Sequence, residues 1–212
     1  MTPDPAARNT PAPLTLLLGF VLMALLGLIE LGVLEYTYAR LGIGHRFFTG
    51  LLLASLLGSV VNVPLTAVGE QEAVLAPAFG GRTVIAVNLG GAVIPALLSL
   101  YLIWLHRLFG PGAIAVAVVG GVSHALARPI PGKGISLPVF VPPVVAAVAA
   151  MLLAPDAAPA LAYAAGSLGT LLGADVANLY RIRELGAPVV SIGGAGTFDG
   201  IFLTGILAVL LA

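Results

Sequence analysis

Apolar runs of roughly 20 residues, the length a bilayer-crossing helix needs, recur along the whole chain and are separated by short charged or Pro- and Gly-rich breaks. Dividing the chain at those breaks predicts seven spanning segments, at 14–38, 47–67, 83–105, 112–128, 135–154, 158–180 and 188–212. The fourth is short and carries His124 and Arg128 near its end. The opening stretch MTPDPAARNTPA is polar and Pro-rich, which predicts a disordered tail over 1–12 ahead of a single transmembrane domain over 13–212. The apolar run from Leu14 to Leu34 exceeds the core of a cleaved signal and lacks a small-residue cleavage site, so it reads as a retained first span. The fold class expected is all-α: a polytopic helical membrane protein with about seven transmembrane helices.

Composition strengthens that picture. With 59% hydrophobic and 8% charged residues, the chain has too little polar surface to cover a soluble globule. Basic and acidic residues balance at nine each, which points away from nucleic acid. The absence of cysteine excludes disulfides, thiolate metal sites and a cysteine nucleophile. No cofactor is expected, and the partners expected are membrane lipid and, for an enzyme, a membrane-protein substrate. Lys and Arg set orientation: Arg8, Arg82, Arg128, Lys133, Arg181 and Arg183 fall on the side of the N-terminus, against Arg40, Arg46 and Arg107 on the other. The excess predicts a cytoplasmic N-terminus.

Ionisable groups at membrane depth cost a few kcal/mol each, so they face a bundle interior or a watery cavity and mark function. At 1.5 Å per residue, Asp175 lies about 9 Å inward from Arg181 and Asp199 about 16 Å inward from Pro188, both in the half nearer the N-terminal side. Asn62, Asn88, His124 and Arg128 fall in the same half, which predicts one shared cavity; Glu30 falls in the opposite half. On the sixth segment Gly166, Gly169, Thr170 and Gly173 form a face for close helix packing, while Asp175 and Asn178 share another. The glycines of SIGGAGTFDG predict an unwound start to the last span.

Two carboxylates sharing a proton can activate water for hydrolysis, with Asp175 and Asp199 as the catalytic pair. Asn62, Asn88, His124, Arg128 and Asn178 are the candidate substrate- or ion-binding residues. Each has a plainer reading: the Asn amides satisfy backbone freed at a kink, and His124, Arg128 and Lys133 anchor a helix end closed by Pro129 and Pro131. His124 with the two aspartates is a conceivable divalent-metal set, although the spacing matches no metal signature. A further pattern is an echo between VNLGGAV in the third segment and VSIGGAG in the seventh, which suggests the parallel repeat of a transporter.

The motifs GSVVNVPL, NLGGAVIP, ARPIPGKGI, GADVANL and SIGGAGTFDGIFLTGILAVLL resemble those of a family of small bacterial and archaeal membrane proteins of unknown function, from about residue 50 onward. That resemblance implies a bacterial or archaeal plasma membrane and no particular activity. A weaker one connects Asp175 in GADVANL and Asp199 after GAGTF to the presenilin, signal peptide peptidase and prepilin peptidase group. In that group one Asp lies within a helix and the second in a GxGD motif. Here the motif reads GxGTFD, and Ala174 stands where presenilins have Tyr. Presenilins also carry a PAL motif in a late span, whereas Pro95–Leu97 falls in the third segment. The resemblance implies an intramembrane aspartyl protease, and the alternative is a transporter or channel that binds a proton or cation at the same aspartates.

Overall fold

The computed structural model describes residues 23, 27, 30–68, 83–130, 134–185, 189–194 and 200–212. The tail over 1–12, most of the first predicted span, Lys133 and Asp199 lie outside the described residues. The chain divides into two units, Met1–Tyr36 and Thr37–Ala212. In the first, the helical residues 30–36 expose Glu30, Leu31, Val33 and Tyr36.

Helices α1 (Glu30–Arg40) and α2 (His45–Gly58) are separated by a short turn that contains Gly42 at φ +76°. Strands β1 (Asn62–Val68) and β2 (Thr83–Asn88) follow, and β2 runs through a π-helical turn, Leu89–Val93, into α3 (Ile94–Leu105). Then come α4 (Phe109–Leu126), the hairpin β3 (Arg128–Ile130) and β4 (Gly134–Ser136), and α5 (Val141–Leu153). Helix α6 (Ala158–Thr170) opens into a second π-helical turn, Leu171–Asp175, and tightens into 3-10 backbone over Val176–Leu185. Strand β5 (Val189–Ile192) and helix α7 (Gly200–Leu211) complete the order.

Helix dominates, but the chain is not all-α. The expected helices at 47–67, 83–105 and 188–212 each hold a strand, and the three strands pair in the order β1–β2–β5. β1 lies antiparallel to β2, with Asn62 opposite Asn88; β5 lies parallel to it, with Ala86 opposite Ser191. The physical reason lies in NVPLTAV, TVIAVN and VVSI, which are rich in β-branched residues, and in Pro64, which an α-helix interior would not tolerate. Hydropathy alone does not separate a short buried strand from a helix. Pro64 is accommodated because β1 is an edge strand and the register shifts beside it.

α6 is the central helix of the larger unit and packs against α3, α4, α5 and α7. Its small residues make this possible: Ala160, Ala162, Ala164, Ala165, Gly166 and Gly169 are all buried. A Cβ on Gly166 would press on Thr204 of α7, and one on Gly169 would press on Val119 of α4, so the predicted small-residue face serves two neighbours rather than one. Large side chains point the other way. Leu97, Leu100, Tyr101, Trp104, Ile114, Val118, Val148 and Leu152 are exposed on α3, α4 and α5. A water-soluble core would bury them. Among the described residues two helices, Phe109–Leu126 and Pro155–Arg181, are long and apolar enough to cross a membrane, and a third span results if α1 and α2 are counted together.

Candidate functional site

Asp175 closes the π-helical turn that interrupts the long helix Pro155–Arg181. Gly173 lets α4 approach this turn closely: a Cβ there would overlap the carbonyl of Gly120. Where a π turn passes into 3-10 backbone, carbonyls lose their regular helical donors. Asn178 supplies replacements, its Nδ2 donating to the carbonyls of Gly173 at 2.9 Å and Ala174 at 3.0 Å. Asn178 is thus buried and turned back onto its own helix instead of lining a cavity beside Asp175.

The Asp175 carboxylate is half-buried, and its Oδ2 accepts the backbone N–H of Gly193 at 2.7 Å. Gly193 follows β5 directly and lies at φ +84°, with Gly194 at +72°, left-handed backbone that only glycine adopts at little cost. A Cβ on Gly193 would also meet Ala92. The unwound approach to the last helix expected from the glycine run therefore exists over 189–194, and its first turn is held against Asp175. Beneath it, Ile85, Ala92, Leu171, Ile192 and Ile201 form one buried cluster, with Ala96 of the Pro95–Leu97 tripeptide packed on it.

Asn62 and Asn88 form a second group on the other face of the sheet. Ile85, Val87, Val190 and Ile192 belong to the buried cluster or pack on it, so alternation sends Asn88 and Ser191 to the opposite side. Asn88 donates from Nδ2 to the Ser59 carbonyl at 2.7 Å and to Asn62 Oδ1 at 3.1 Å, and its Oδ1 accepts Gly91 N–H at 2.7 Å. Ser191 Oγ donates to the same Asn62 oxygen at 2.5 Å. Asn88 thus takes the plainer of its two expected roles, satisfying backbone at the start of a π-helical turn.

Of the six side chains expected to share one cavity, Asp199 lies outside the described residues, and the other five form no single hydrogen-bonded group. Asn62 and Asn88 meet each other, and Asp175 meets the glycine turn. His124 and Arg128 are exposed at the end of α4 and the start of β3 and make no bond to Asp175. The physical reason is that shared depth does not fix rotation about the helix axis, so polar residues at one level need not face one another. No three His, Asp or Glu side chains among the described residues stand close enough to hold a metal ion. A groove of about 420 Å³ between α4 and α5, lined by Ile114, Val118, Val144, Val148 and Leu152, is wholly apolar and takes no residue from the Asp175 turn. Sequence reasoning missed Ser191 and the Gly193 N–H. The echo between VNLGGAV and VSIGGAG was the available signal for Ser191, because it aligns that residue with Asn88.

A central helix of small buried residues, exposed large apolar side chains on α3, α4 and α5, and helices long enough to cross a bilayer define the class: a mostly helical protein built from membrane-compatible helices. Within that class the chain belongs to the family described as "Protein of unknown function (DUF1614)", whose model matches residues 25–211. No curated protein and no solved structure matches the chain, so the aspartyl protease resemblance draws no support from relatives.

Proposed function

We propose that the protein is an integral membrane protein of about seven spans with a cytoplasmic N-terminus, and that it acts as an intramembrane aspartyl protease-like hydrolase with Asp175 and Asp199 as its catalytic pair. The observation that carries this reading is the bond from Gly193 N–H to Asp175 Oδ2. Gly193 lies six residues before Asp199, and Ile201, two residues after it, packs with Leu171 of the Asp175 turn. The chain before Asp199 bonds to Asp175, and the chain after it joins the buried cluster to which Leu171 of that turn belongs. In the reaction one carboxylate takes a proton from water as the water oxygen attacks the scissile carbonyl, and the other, protonated, gives its proton to the carbonyl oxygen, forming a gem-diol. The first, now protonated, then protonates the amide nitrogen as the C–N bond breaks and the amine leaves, while the second takes back a hydroxyl proton as the carboxylic acid forms. Helices such as α5 and α7, of 13 and 12 residues, are short for a span. Extended chain ahead of a helix adds about 3.3 Å per residue, which supports counting the segments over 83–105 and 188–212 as crossings.

The test uses the wild-type chain in lipid nanodiscs and a photoreactive apolar peptide whose scissile bond is replaced by a hydroxyethylene group, a mimic of the tetrahedral intermediate. Specific labelling, together with cleavage of the parent peptide, is expected, and Asp175→Asn and Asp199→Asn should each abolish cleavage. Wild-type protein that neither labels nor cleaves across a set of membrane-span peptides would overturn the reading. One observation favours transport: β2 and β5, the strands at which the two echoing motifs begin, lie parallel and adjacent, each preceding an apolar helix. Proton or cation flux in proteoliposomes, lost in Asp175→Asn, would establish that reading.

A further inference from the structure

We infer that Asn88 is the positioning residue for Asp175, acting at second hand through the two glycine turns. It is completely buried, and all of its amide groups are bonded. Its Oδ1 holds Gly91 N–H, which fixes the start of the π-helical turn Leu89–Val93. That turn is packed directly on the glycine turn after β5: a Cβ on Gly91 would overlap the Gly193 carbonyl, and one on Gly193 would overlap Ala92. Gly193 is therefore held on one side by the Gly91–Ala92 backbone and on the other by Asp175. The Gly193 N–H thereby fixes the orientation of the Asp175 carboxylate through Oδ2. Asn88 is anchored in turn at Ser59 and Asn62, and Ser191 grips Asn62 from β5 itself. The linkage runs from α2 through β1, β2 and β5 to a single carboxylate oxygen.

The role in catalysis rests on the hydrolase reading, whereas the mechanical linkage does not, and the experiment separates them. Amide hydrogen exchange is followed on the intact protein in nanodiscs, alongside labelling by the hydroxyethylene peptide. In Asn88→Ala, exchange over 189–194 should rise about tenfold, the size of one net hydrogen bond, while α6 keeps its protection. Asn88→Ser offers Gly91 N–H an acceptor and the Ser59 carbonyl a donor and should stay nearer wild type than Asn88→Ala, a rescue that mere loss of packing would not give. If Asn88→Ala does not fold, Asn88→Gly reads the same quantity. Unchanged exchange over 189–194 in a folded Asn88→Ala or Asn88→Gly protein overturns the inference whatever the labelling shows. A rise in exchange with parallel loss of labelling supports it in full. A rise in exchange in a protein that the peptide never labels supports the linkage and removes the hydrolase reading instead.

Discussion

Single residues decide how closely the helices approach. Gly173 and Gly121 lie on facing and open surfaces respectively. A methyl group on Gly173 would strike the Gly120 backbone, whereas one on Gly121 meets nothing within 4 Å. Gly173→Ala should therefore destabilise the protein by about 1–3 kcal/mol, and Gly121→Ala, in mid-helix, should be neutral or stabilising by up to about 1 kcal/mol. Thermal unfolding in one detergent compares the two directly; equal midpoints would refute the close α4–α6 contact. At the other end of the larger unit, Arg40 Nη1 donates to the Val209 carbonyl at 2.8 Å in the last turn of α7, where helical carbonyls lack donors and a cation suits the helix dipole. Arg40→Ala should cost about 1 kcal/mol, and Arg40→Lys less. The small-residue face of α6 was legible because the glycines repeat at helical spacing. The Arg40 contact was not, because it joins residues 169 positions apart.

Elements show where hydropathy misleads. The same apolar stretch can be helix or strand, and here β-branched runs beside Pro and Gly pair into a sheet that sets the glycine turn against Asp175. The middle strand bears most of that load, because β2 is bonded on both edges. Ala86→Pro removes a donor from it and should abolish folding or cost about 3 kcal/mol, whereas Leu65→Pro, at the irregularity of the edge strand, should be far milder. Expression level and unfolding midpoint of the two variants check the contrast. Asp175 and Asn178 were correctly assigned to one helix. Their divergence followed from the π-helical turn, since widening by one residue rotates what comes after it, and a Gly in mid-helix does not by itself announce that widening.

For the whole molecule, the testable matter is which way the long helices cross. The chain has no cysteine, so single introduced cysteines report cleanly. With a cytoplasmic N-terminus, Arg128→Cys should react with an impermeant maleimide only from the cytoplasmic face, and Asp156→Cys only from the opposite face. Reaction of both from one side would refute the crossing of the segment that lies between them, 135–154, which holds α5. The sequence by itself determined the apolar character of the chain, the small-residue packing of its central helix and the presence of Asp175 in a long apolar helix. These follow from composition and helical spacing, which are local properties. Only the tertiary structure decided that the Asn residues join one another across a sheet, that Asp175 takes the Gly193 N–H, and that His124 and Arg128 face outward. Each of these depends on strand register and on rotation about a helix axis, quantities set by contacts between residues far apart in the chain.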